Sequence, residues 1–179
     1  MRFAKTSKGM NHKQLIIEIE RNTAIFKALF SNVGPELATW RESTGRWCLL
    51  EIVNQLCDEE REDFRARIKH CLETPDEHMP GIRPQHWVTD RKYMNRDYTE
   101  SVTNFLNERK QSLHWLRSLK NPDWQSENDH RYIGKVTAEF FLANWMAHDY
   151  LHMRQVNRLL FHHHQVKVGD CSLGYAGEW

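Results

Sequence analysis

The chain has 179 residues, with 25 Lys and Arg against 24 Asp and Glu, a formal net charge of +1 and 27% charged residues. That near-balance excludes the cationic excess a nucleic-acid binder needs to displace phosphate counterions, and it excludes a polybasic membrane tether. The length suits one domain with a sizeable core, and no apolar run approaches the roughly 20 residues of a membrane span.

The opening stretch, MRFAKTSKGMNHKQ, carries cations without an apolar segment behind them, so it does not read as a secretory leader. Residues 11–31 place Leu15, Ile16, Ile19, Phe26, Leu29 and Phe30 at helical spacing and predict a first helix. Gly34, Pro35 and Gly45 interrupt the pattern. Residues 46–73 predict a long second helix on Leu49, Leu50, Val53, Leu56, Cys57, Phe64 and Ile68, with Asp63 and Arg67 as a favourable i,i+4 pair on its polar face. The stretch 74–96 is long for a connection inside a bundle. It can return along the bundle and start a third helix parallel to the second. That third helix is predicted over 97–119, on Val102, Phe105, Leu106, Leu113, Leu116 and Leu119. After a break at Pro122, a fourth is predicted over 132–161, on Val136, Phe140, Phe141, Trp145, Leu151, Val156 and Leu159. No strand-like alternation of comparable length appears, and 165–179, with Gly169, Gly174 and Gly177, reads as an irregular tail. The class is all-α, most simply a four-helix bundle forming a single domain over residues 1–179.

Cys48, Cys57 and Cys71 fall on the second predicted helix. Successive pairs are then about 13 Å and about 21 Å apart along its axis, beyond the reach of about 7 Å that a disulfide allows. With Cys171 they read as reduced thiols, which points to a cytoplasmic setting.

Of 11 histidines, the informative ones are His148 and His152. At i and i+4 they share one helical face, and it is the inward one. Such a pair is either hydrogen-bonded core or half of a metal site, and a catalytic zinc needs a third ligand from elsewhere. The metalloprotease pattern H-E-x-x-H fails, because Asp149 stands where Glu is required. Glu-x-x-His occurs only at Glu127 and His130, in a predicted loop, which rejects a ferritin-like di-iron site. His162, His163 and His164 suit the end of a helix. His12, His70, His78, His86, His114 and His130 read as surface or structural.

The tryptophan followed by Leu49-Leu50-Glu51-Ile52-Val53-Asn54-Gln55-Leu56-Cys57-Asp58-Glu59-Glu60-Arg61, and the later His148-Asp149-x-x-His152-x-x-Gln155, resemble the DinB-like superfamily of metal-dependent four-helix-bundle proteins. Trp87-Val88-Thr89-Asp90-Arg91-Lys92-Tyr93 and the terminal Tyr175-Ala176-Gly177-Glu178-Trp179 look like one branch of it. The resemblance spans nearly the whole chain. It implies an up-down-down-up bundle with a long crossover between helices 2 and 3, a homodimer, and a divalent metal held by three histidines. Two of those map to His148 and His152. The third, on helix 2, maps to position 55, where this chain has Gln55. A neutral amide is a poor substitute for imidazole on zinc or nickel. Gln55 can still hydrogen-bond a histidine or a metal-bound water, and Glu59, one turn on, can offer a carboxylate. Asp149 and Gln155 would orient a ligand from behind.

The resemblance implies a transferase, isomerase or hydrolase that acts on a small molecule, in some members with a thiol, using Zn, Ni, Fe or Mn. The competing reading is a non-catalytic dimeric bundle whose site is degenerate, metal-free or ligand-binding, and Gln55 is its motive.

Overall fold

The computed structural model describes residues 9–177; residues 1–8 and the terminal Glu178 and Trp179 lie outside it. Within that range the chain is mostly helical. Its main elements are α1 (His12–Phe30), α2 (Pro35–Thr39), α3 (Leu49–Glu59), a π turn (Glu60–Phe64), α4 (Arg65–Glu73), α5 (Pro84–Asp90), α6 (Tyr98–Ser118), strands β1 (Glu127–His130) and β2 (Gly134–Thr137), and α7 (Ala138–Val168). Because α3, the π turn and α4 run on without a break, the bundle has four long rods. α1 packs on α6 and α7, α3 packs on α6, and α4 packs on α7.

The rods start where side chains supply the bonds that a helix N-terminus lacks. Asn11 Oδ1 accepts from Gln14 N at 3.1 Å, Asp97 Oδ1 from Glu100 N at 2.8 Å, and Thr137 Oγ1 from Phe140 N at 3.1 Å. At the start of α3, Glu51 Oε2 accepts from Cys48 N at 3.0 Å. Two apolar clusters fill the interior, one around Phe64, Ile68, Leu142 and Trp145, the other around Phe26, Phe30, Ile52, Phe105 and Val156. The guanidinium of Arg109 is 0% exposed and lies 5.5–6.0 Å from the rings of Phe26, Phe105 and Trp145, which belong to both clusters. Arg109 Nη1 and Nη2 donate to Asp149 at 2.8 and 2.7 Å, and Nε donates to Glu60 Oε2 at 2.8 Å. Trp145 Nε1 also reaches Glu60 Oε2 at 3.2 Å, and Asn22 Nδ2 reaches Asp149 Oδ2 at 3.1 Å. One buried ionic group therefore ties α1, the π turn, α6 and α7 together.

The fourth helix differs from its expected bounds. Residues 132–137 belong to an antiparallel hairpin in which His130 pairs with Gly134 and Glu127 with Thr137. Gly134 takes φ +73°, the left-handed conformation that closes a three-residue loop and stops a helix. Val136 and Asn128 face inward, and Asn128 Nδ2 donates to the carbonyls of Pro75 and Glu77 at 2.8 and 2.7 Å. At its far end α7 continues through His162–His164 to Val168, so the tail begins later than expected. The connection between α4 and α6, residues 74–97, is not bare loop either. It contains α5, and it docks on α3 through Tyr93, whose hydroxyl donates to Asp58 Oδ2 at 2.7 Å.

Candidate metal centre

α7 carries His148 and His152 one turn apart, and their Nε2 atoms lie 3.1 Å from each other. Glu59, the last residue of α3, faces them: its Oε2 is 3.0 Å from His148 Nε2 and 3.8 Å from His152 Nε2. Each residue thus brings one ligand atom into a group able to hold a metal ion. The spacings bracket the roughly 3.4 Å expected between two atoms that each sit about 2.1 Å from a tetrahedral ion. Apart from these two imidazoles, the buried Glu59 Oε2 has no polar partner among the described residues. A desolvated carboxylate needs a positive partner in an apolar interior; the proton on His148 supplies one, and a cation at the focus of these three atoms would take its place. The residues present therefore fit a divalent metal.

The electrostatics agree. Burial disfavours the charged form of His148, but the adjacent Glu59 carboxylate outweighs it and raises the His148 pKa. Burial works against the Glu59 charge too, yet His148 holds that carboxyl below the ordinary range. His152 is pushed down to about 4 by burial and by the charge on His148, so its ring is held neutral, the form that ligates. The cluster attracts one positive charge.

Gln55 does not point at the histidine pair as a lone ligand would. Its Nε2 donates to Glu59 Oε1 at 2.9 Å and to the Pro84 carbonyl at 3.3 Å, and its Oε1 lies 3.5 Å from the Tyr93 hydroxyl. Gln55 is 2% exposed. It occupies one oxygen of Glu59 and leaves the other aimed at the imidazoles, while the connection between α4 and α6 fixes Gln55 in turn. Asp149 is turned the other way, onto Arg109 and Asn22, and hydrogen-bonds neither imidazole. Gln155 approaches His152 from one turn further along α7.

Three neighbours, read from the sequence only as an apolar stripe residue and an ion pair, also lie at the site. Phe64, in the π turn, stacks on Trp145 at 5.7 Å and lies against the His148 ring at 5.0 Å. Asp63 and Arg67, expected on a solvated face, line a pocket of about 340 Å³ that ends at His148. The sequence placed them on the polar face of the second helix; Phe64 and Ile68 take the core side of this stretch, and Asp63 and Arg67, one position earlier, flank them at the pocket. The hairpin supplies His130 and Ile133 to the same pocket.

A family model described as the DinB superfamily matches residues 18–156. No curated protein matches the chain significantly. Among solved structures the chain is similar to YfiT from Bacillus subtilis, with a TM-score of 0.74 and 16% sequence identity, covering 89% of this chain and 91% of that one. YfiT is described as a probable metal-dependent hydrolase with an unusual four-helix bundle topology.

Proposed function

Because the chain belongs to the DinB superfamily, we propose that it is a divalent-metal-dependent hydrolase or transferase acting on a small molecule, with Glu59, His148 and His152 as the metal ligands. The observation that carries this reading is the convergence of Glu59 Oε2 and the two Nε2 atoms within 3.0–3.8 Å, with that oxygen otherwise unpartnered. Two histidines and a carboxylate suit Zn, Fe or Mn, and a metal bound there supplies a Lewis acid that polarises a carbonyl or activates a water or thiol. Gln55 fixes the carboxylate so that a single oxygen faces the imidazoles. Phe64 and Trp145 close one side of His148 to water. The pocket beside His148 brings a substrate to the open side. An up-down-down-up order, a homodimer and a cytoplasmic setting belong to the same reading. The 74–97 connection supports the first, and four free cysteines support the last.

Protein purified without an affinity tag and reconstituted with Zn, Ni, Fe or Mn is expected to hold the metal stoichiometrically. His148→Ala and His152→Ala are each expected to lose it. Amide hydrolysis and thiol transfer, screened on small-molecule panels, should vanish on chelation and return on metal addition. A folded wild-type protein that takes up none of the four metals refutes the proposal in favour of a non-catalytic bundle.

Gln55→Leu removes the donor to Glu59 Oε1 and frees the carboxylate to swing. The expected outcome is a loss of about 10–100-fold in metal affinity, the range seen when a supporting partner of a ligand is deleted. Calorimetric titration of the metal-free variant checks it.

A further inference from the structure

The pocket that ends at His148 also holds a cation with donors to spare. Its walls are apolar: Phe64, Phe140, Phe141, Ile133 and Leu151. Arg67 is set among them with its side chain only 10% exposed. Its Nε is committed to Asp63, one turn earlier. Nη1 has only the Met79 thioether, at 2.9 Å, a weak acceptor. Nη2 makes no hydrogen bond among the described residues. The Phe141 ring lies 5.6 Å below the guanidinium carbon.

A guanidinium is always charged, and Nη2, which keeps contact with solvent and has no protein acceptor among the described residues, is free to take an anion that enters the pocket. Asp63 is its one carboxylate partner among the described residues. Asp63 engages one edge, and burial raises the pKa of its carboxyl. His130 is shifted toward the neutral form by burial and by Arg67 itself, so it adds no second cation. What the open edge matches is a planar oxyanion, and what the walls match is an apolar body.

We propose that this pocket takes a small carboxylic acid with an apolar body, its carboxylate on Arg67 Nη2 and its reacting group toward Glu59, His148 and His152. The second half rests on the metal-centre reading; the first half does not.

The test titrates 4-phenylbutanoate and 4-phenylbutanamide into the protein by calorimetry, metal-free and metal-loaded. Metal-free protein is essential, because a bound metal would itself attract the acid. There, the acid is expected to bind at least about tenfold more tightly than the amide, the scale of a hydrogen bond to a charged group. Arg67→Met should abolish that preference. Arg67→Lys, which keeps the charge and loses the fork, should retain part of it, and thermal melts of both variants establish that they fold. Equal binding of acid and amide to metal-free wild type, no binding of either, or an undiminished preference in Arg67→Met overturns the proposal. A protein that takes up no metal but prefers the acid removes the metal reading and upholds the pocket assignment. Metal uptake without an acid preference does the reverse.

Discussion

Glutamine in place of Glu59 is expected to lower divalent-metal affinity by more than about 100-fold, beyond the effect of losing a supporting partner. The substitution keeps the shape of the side chain and removes its charge. Two imidazoles then remain, and two ligands are too few for a closed or catalytic site. The metal-free variant should melt lower than the wild type, because it loses the ion pair with His148. Glu59 is buried and His148 half-buried, and His148 holds the Glu59 carboxyl below its ordinary range, so the fold favours a charge that the amide cannot supply. Metal content after desalting and calorimetric affinity are the readouts, with a thermal melt beside them. Unchanged affinity in a folded Glu59→Gln protein would show that Oε2 does not ligate.

The largest stability effect is expected at Arg109. Methionine there leaves Glu60 and Asp149 buried without their cation, at a cost of about 3–5 kcal/mol. Both carboxylates accept from Arg109 and are almost fully buried, so neither is rescued by solvent. Urea titration of Arg109→Met against wild type measures the loss. Replacing Glu60 and Asp149 by apolar residues of similar volume in the same chain should restore most of it, because a desolvated ionic group adds little over well-packed apolar side chains. A loss below about 1 kcal/mol, the scale of an exposed ion pair, would mean that water reaches this group.

Much of the fold was legible because apolar periodicity and capping residues agree. The first and third rods start within one residue of the expected positions, at Asn11 and Asp97, where a side chain caps the helix. The hairpin was not legible. Its first strand, Glu127-Asn128-Asp129-His130, has no apolar residue to alternate. Val136 in its second strand continues the phase of the helix that follows. Gly134 followed by Thr137 was the available signal, a turn residue and then a cap.

At the site, the i,i+4 spacing of His148 and His152 was readable because it depends on one helix alone. The position of Glu59 was readable only as an option, since its approach to the imidazoles depends on how α3 and α7 pack. The role of Gln55 depends on Pro84 and Tyr93 in the connection between α4 and α6, contacts no local pattern encodes. Arg109 did leave a trace. It falls in phase with Phe105, Leu113 and Leu116, a charge on an inward stripe, and such a residue needs partners from other elements.

The π turn at Glu60–Phe64 acts on the bundle as a phase shifter. One residue more than an α-helical turn needs rotates everything after it by about 100° relative to a continuous helix. The rod can therefore present one face to α6 along α3 and a different one to α7 along α4. Adjacent side chains are sent to separate tasks at that point, Glu59 to the histidine pair and Glu60 to Arg109. Deleting Arg61 or Glu62 from this turn would leave the rod helical and every other side chain intact. It would, however, dial Phe64 and Arg67 away from the pocket, an error of angle with no change in chemistry.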